Sequence, residues 1–142
     1  MNENAPPSGA ELMEQFVANS PFAQKLGIAL VEIKADEALL RLPFHTSLAT
    51  AGEVVHGGAI GTLADTAATV AACSAADVAG IRNGATISLT VEYVAAATGQ
   101  DLLARVRVDK RSRSLVFCEV EVFVGESDLV AKALATYRFA LV

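Results

Sequence analysis

The 142-residue chain predicts an α+β fold in which a curved antiparallel sheet wraps one long central helix. Three observations carry that reading. The stretch 57–76 is apolar on every side when laid out as a helix, so it must be buried. After Gly84 the sequence alternates apolar and polar residues with period two, the mark of strands. Short turn signals separate those strands, which favours an antiparallel meander. Curling the sheet around the helix is the simplest way to bury it.

Residues 1–10, with Pro6, Pro7 and Gly9, read as a disordered lead-in. "AELMEQFVANS" spaces Leu12, Met13, Phe16 and Val17 at helical intervals and reads as a short amphipathic helix, with Pro21 just beyond it. "AQKLGIALVEIKADEALLRLPF" reads as two strands broken at Ala35-Asp36-Glu37. Residues 45–56 form a loop. Residues 57–76 are dominated by Ala, the best helix former. "ATISLTVEYVAAA", "DLLARVRVDK", "LVFCEVEVFV" and "LVAKALATYRFALV" are four further strands. Their breaks fall at Thr98-Gly99-Gln100, at residues 111–114 and at Gly125-Glu126-Ser127-Asp128. The order is β-β-α-β-β-β-β, with residues 1–20 a tail and short helix and residues 21–142 a single domain.

Apolar residues make up 53% of the chain, enough for a real core. A net charge of -5 argues against nucleic acid as a partner, and an anionic substrate needs a local basic patch to offset it. Cys73 and Cys118 lie at no metal-like spacing and read as reduced core residues of a cytoplasmic protein. "MNENAPPSGAELM" lacks the basic and apolar regions of a signal peptide. Residues 54–76 are long enough to span a membrane. They are mostly Ala, Gly and Thr, however, and Asp65 near the middle costs ~2.5–3.5 kcal/mol on insertion scales, so no membrane partner is expected.

The chemistry concentrates in "VVHGGAIGTLADTAATVAA". An ionised carboxylate is costly to bury alone, so Asp65 either reaches an opening or is paired, as a structural or a functional group. Gly57 and Gly58, just before a helix, leave backbone N–H groups at the positive end of its dipole, where an anion or developing oxyanion is stabilised; they also suit a tight entry turn. His56 is either an acid or base, or a group that orients that turn. The other histidine, His45, lies on a loop, and no ordinary zinc spacing is present. No G-x-S-x-G elbow and no Gly-rich phosphate loop occurs. Lys110, Arg111 and Arg113 form a basic cluster able to hold phosphates, or simply a solvated connection. Asp65 lies eight residues past Gly57, about 12 Å along a straight helix. One carbonyl cannot touch both on the same helix. If both act on one bond, they come from two subunits with antiparallel helices, across a two-fold interface.

These motifs, with "TISLTVEYVAAATGQDLLARVRV" and the closing "LVAKALATYRF", resemble the hotdog-fold acyl-CoA thioesterases of the PaaI-like family from about Phe22 onward. The resemblance implies a helix wrapped by a curved sheet and a homodimer, often paired into a tetramer. It implies hydrolysis of CoA thioesters, with aryl or short- to medium-chain acyl groups, without metal or cofactor. Gly57 would polarise the thioester carbonyl and His56 would position its turn. Asp65 of the facing subunit would be nucleophile or general base, and Thr86 would orient water. Gly58, Tyr93, Lys110, Arg111, Arg113 and Ser114 would contact CoA. Many such enzymes carry Asn six residues before the His; here that position is Thr50, whose hydroxyl would stand in for the amide. Losing one such donor costs ~10²–10³ in rate, which leaves a poorly hydrolysing acyl-CoA-binding protein as the alternative. Hotdog hydratases generally pair Asp and His at short spacing on this helix, and no His follows Asp65.

Overall fold

A computed structural model of the chain describes residues 5–142, so residues 1–4 of the expected lead-in lie outside the described residues. The lead-in is shorter than its composition indicates. Helix α1 (Gly9–Asn19) starts at a capping box: the Glu11 N–H donates to Ser8 Oγ at 3.2 Å, and the Ser8 N–H donates to the Glu11 carboxylate at 2.7 Å. A second helix, α2 (Pro21–Leu26), replaces the expected start of the first strand. Pro21 in the first turn and the left-handed Gly27 at its end are a start and a stop signal that outweigh the apolar run between them.

Strands β1 (Ala29–Lys34) and β2 (Glu37–Leu42) form the expected hairpin. Its turn places Asp36 at φ +65°, a conformation Asp tolerates better than most residues. A two-stranded ribbon of β3 (Ala49–Ala51) and β4 (Val54–Val55) occupies part of the segment expected to be loop, turning through the left-handed Gly52. Helix α3 (Gly57–Ser74) follows, two residues shorter than expected. Strands β5 (Ile81–Tyr93), β6 (Leu102–Arg111), β7 (Leu115–Val124) and β8 (Asp128–Leu141) complete the chain.

The main sheet runs β1-β2-β6-β7-β8-β5, antiparallel throughout. The meander holds for β6, β7 and β8 but not for β5, which pairs with β8 at the far edge. α3 packs against all six strands and carries the chain across the concave face, so the strand after it enters on the opposite side from the β1–β2 hairpin.

Burial explains the helix's composition. Leu63, Ala64, Ala67, Ala68, Val70 and Ala71 have no solvent exposure, and the β8 residues facing the helix begin with Ala131, Ala133 and Ala135. Small side chains on both surfaces let helix and sheet approach closely. The bulkier Leu40, Leu42, Val106, Val120 and Val122 fill the rest. Three elements are tied together at the far end of α3. The Arg111 guanidinium donates to Asp36 Oδ1 at 2.7 Å and to the Ala71 carbonyl at 3.4 Å, and the Asp36 N–H donates to the buried Ser74 hydroxyl at 2.9 Å. A cation there also complements the helix dipole.

The two sheet edges differ. β1 is bulged at Val31 and lies beside α1, whereas β5 runs for 13 residues with β8 on one side and no strand on the other among the described strands, and exposes Ile87. No helix among the described residues is long and apolar enough to cross a membrane.

Gly9 explains how α1 docks. A Cβ there would run into the carbonyl oxygens of Cys73 and Ser74 at the end of α3. Gly9→Ala should therefore release α1 while leaving the sheet intact. Hydrogen exchange is expected to quicken across residues 9–19 by about tenfold or more, with β6–β8 protection unchanged.

Candidate active site

The site begins at the amino end of α3. His56 is the N-cap, in extended backbone, and its Nδ1 accepts the Gly58 N–H at 2.8 Å. Residue 58 must then be small, because a Cβ there would lie 2.9 Å from that same nitrogen. The His56 N–H donates to the Leu48 carbonyl at 2.8 Å and the Val55 N–H to the Ala97 carbonyl at 2.9 Å, so the entry segment is fixed from both sides. Tyr93, from the end of β5, donates its hydroxyl to the Gly57 carbonyl at 2.8 Å, and a Cβ at Gly57 would sit 3.3 Å from its ring. Of the two glycine N–H groups expected to be free, Gly58's is taken by His56. Gly57's has no acceptor among the described residues and stands at the positive end of the helix.

Asp65 lies two turns further along the same unbroken helix, half-buried. Thr86 Oγ1 donates to its Oδ1 at 2.7 Å. Thr86 is aimed by a bulge in β5: the pairing with β8 skips Ile87, so Thr86 faces Tyr137 while Ser88 faces Thr136. The hydroxyls of Thr62 and Thr66 donate to the carbonyls of Gly58 and Thr62, each at 2.8 Å, and so do not compete for the carboxylate. Asp65 Oδ2 keeps no protein donor among the described residues and is open to water. The spacing argument stands, since Gly57 and Asp65 remain about 12 Å apart along the axis.

The structure thus gathers His56, Gly57, Gly58 and Tyr93 at one point and Asp65 with Thr86 at a second. The remaining expected residues lie elsewhere. Thr50 sits on β3, exposed, with no hydrogen bond from its hydroxyl among the described residues. The basic cluster is divided: Lys110 and Arg113 are exposed, but Arg111 turns inward to Asp36 and Ala71, a structural tie rather than a free cation. Ser114 accepts the Phe139 N–H at 2.8 Å through its carbonyl.

Three groups on the Asp65 side of the sheet were not singled out as site residues by the sequence: Tyr137, Gly84 and Cys73, the last read only as a core thiol and in fact half-buried. Tyr137 is buried, packs edge-on against Phe139, and lies beside Cys73. Burial, then the neighbouring Cys73 and Asp65, push its phenol well above the usual range. Burial also raises the Cys73 thiol, partly offset by Tyr137 and Arg111. The one available signal was Tyr137's place in the alternation of the last strand.

Known proteins resemble this chain in sequence and fold. Residues 52–131, which include His56, Gly57, Asp65, Thr86 and Lys110, match the profile described as the thioesterase superfamily. A candidate esterase of Halobacterium salinarum is 34% identical over 116 residues, covering 80% of this chain and 76% of that one. Another from Thermoplasma volcanium is 29% identical over 105 residues, covering 74% and 77%. Among solved structures, a conserved protein of Pseudomonas aeruginosa superposes with TM-score 0.79 at 27% identity, over 85% of this chain and 94% of that one. A thioesterase family protein from Silicibacter pomeroyi does so with TM-score 0.86 at 22% identity, over 95% and 100%. The PaaI protein of the phenylacetic acid degradation operon of E. coli gives 0.80 at 18% identity, over 93% and 94%. The last two share the fold.

Neither thiol is suited to act as a nucleophile. Burial pushes the Cys118 thiol up to about 11. At pH 8 that leaves a thiolate fraction of only about 10⁻³. In the native protein at pH 8, iodoacetamide should label Cys118 at least about 100-fold more slowly than in the denatured chain. Peptide mass mapping over a time course reads both rates.

Proposed function

The chain belongs to the thioesterase superfamily and has its hotdog fold, and from that premise we propose that it hydrolyses acyl-CoA thioesters at a site shared by two subunits. The observation that carries this reading is the separation of two complementary groups. An unengaged helix-end N–H at Gly57 and a carboxylate held by Thr86 lie about 12 Å apart on one helix. Each is half of a hydrolytic site. Two α3 helices side by side and antiparallel bring the halves together twice. The open β5 edge favours such a pair, because an uncovered strand is a template for another.

In this site the thioester oxygen sits on the partner subunit's Gly57 N–H, with the helix dipole behind it. His56 and Tyr93 hold the following Gly57–Gly58 peptide from its two sides, which fixes Gly57 and the direction of its N–H. Asp65, ionised, takes a proton from water as water attacks the carbonyl carbon. Alternatively it attacks that carbon itself, giving an anhydride that water opens. Either way the carbon–sulfur bond breaks and CoA leaves as the thiolate. Thr86 fixes the carboxylate and offers its lone pairs to the water. Lys110 and Arg113, exposed and without ion-pair partners among the described residues, bind the CoA phosphates beside Ser114, while Arg111 takes no part. The acyl group is aryl or short- to medium-chain, the chain sits on the PaaI-like branch, and it works in the cytoplasm as a dimer or pair of dimers. Thr50 favours a second reading, an acyl-CoA-binding protein with little turnover, since its exposed hydroxyl is all that stands where many relatives of that branch offer an amide.

Thiol release over a panel of CoA esters, from acetyl to palmitoyl with phenylacetyl and benzoyl, tests the chemistry. Asp65→Asn should lose about 10²-fold or more. Gly57→Pro removes the N–H at the helix position where Pro is tolerated, after a residue already extended, and should lose about 10²–10³-fold more than Gly57→Ala, which crowds the Tyr93 ring in the same way but keeps the N–H. Mixing the two inactive variants after co-expression should restore activity, because each mixed dimer holds one intact Gly57–Asp65 pair. No recovery in a proven mixed dimer would place both groups in one subunit's site.

A further inference from the structure

Five positions of β5 face α3: Gly84, Thr86, Leu89, Val91 and Tyr93, whose partners on β8 are Phe139, Tyr137, Ala135, Ala133 and Ala131, all buried. Four of the five place a side chain against the helix. Gly84 does not. Its space is filled from the neighbouring strand, since a Cβ at Gly84 would lie 2.5 Å from Tyr137 Cε1 and 2.8 Å from the Tyr137 hydroxyl. The Tyr137 side chain therefore leans along the sheet over Gly84, and its hydroxyl end meets Cys73 on α3.

On the helix, Asp65, Thr69 and Cys73 follow at i, i+4 and i+8, so they share one face, and all three are half-buried. On the amino side of Asp65 that face is filled by Leu89, Val91 and the Tyr93 ring, which reaches Gly57 and Gly61. On the carboxyl side β5 contributes no side chain beyond Thr86 until the Tyr137 ring closes the gap at Cys73. We propose that Tyr137, seated over Gly84, is the end wall of the acyl pocket and limits the acyl group to about 6–7 Å beyond Asp65, the two strand residues from Thr86 to Gly84. That span suits an aryl ring or a chain of about six carbons. This inference rests on the reading that Asp65 is the point of attack on an acyl thioester.

The two residues of the wall can be moved in opposite directions. Tyr137→Leu shortens the wall. Gly84→Ala pushes the ring toward the pocket, because only the far end of a side chain stands in the way. Tyr137→Phe keeps the ring and removes the hydroxyl. The quantity read is the ratio of kcat/KM for decanoyl-CoA to that for hexanoyl-CoA in each variant, with phenylacetyl-CoA beside them. Tyr137→Leu is expected to raise the ratio by about tenfold or more, Gly84→Ala to lower it, and Tyr137→Phe to leave it at the wild-type value. Where Tyr137→Leu does not fold, Gly84→Ala carries the test alone. A merely structural role would lower both esters' rates together and leave the ratio in place. A ratio within about twofold of wild type in the folded wall variants overturns the wall while leaving the hydrolase reading standing. A wild-type protein inert toward every ester overturns both.

Discussion

Close packing of α3 on the sheet is the constraint from which the rest follows. Each buried alanine removes little apolar area from water, so the helix cannot hold the sheet by its own side chains. It holds by proximity, and the strands supply the bulk through Leu40, Leu42, Val106, Val120 and Val122. Proximity leaves the covered faces of the helix apolar except at its last residue, where the buried Ser74 hydroxyl is satisfied by Asp36 and Ala71. Asp65, Thr62, Thr66 and Thr69 all lie at half-buried positions. The charge that looks out of place in an apolar run sits where the sheet does not reach.

Glycine marks each point where that closeness becomes extreme. Gly57 and Gly61 admit the Tyr93 ring, Gly58 admits the His56 cap, Gly84 admits Tyr137, and Gly9 admits a whole helix end. The His56 cap uses the Gly58 N–H, so a single ring nitrogen decides that the Gly57 N–H is the one left without an acceptor among the described residues. Electrostatics follow the same economy. Arg107 is bound to Glu119 and Asp109, Lys132 to Glu119, Lys34 to Glu37 and Arg111 to Asp36. The exposed pairs add little stability each. Among the described residues the pairs leave seven cations without an ion-pair partner, and two of them, Lys110 and Arg113, stand close in sequence at the β6–β7 turn of a molecule of net charge -5.

What the sequence disclosed follows the range of the interactions. α3 was legible because its composition is uniform over many turns, and β6–β8 because period-two alternation persists through them. Asp65, Gly57 and their spacing were legible because both lie on one helix, where separation in sequence is separation in space. α2 was hidden because its caps are short signals inside an apolar run. β5 was read as a strand but not placed at the edge, since pairing order depends on where α3 delivers the chain. Arg111 looked like its neighbours until Asp36, far away in sequence, turned it inward. Tyr137 was one inward residue among several, and only the gap at Gly84 distinguishes it.

The unequal edges of the sheet have a consequence for what copies of this chain do in a crowded solution. An uncovered strand invites another strand, and a protein with two such edges can grow without limit into a fibril. Here the bulge at Val31 and the flank of α1 blunt one edge, while β5 stays open. Growth through edges is therefore self-terminating: a second copy that adds to β5 presents only its own blunted β1 to the outside. The same chain that exposes a long hydrogen-bonding template has a built-in stop codon for polymerisation, written in one extra residue of β1 and one helix beside it.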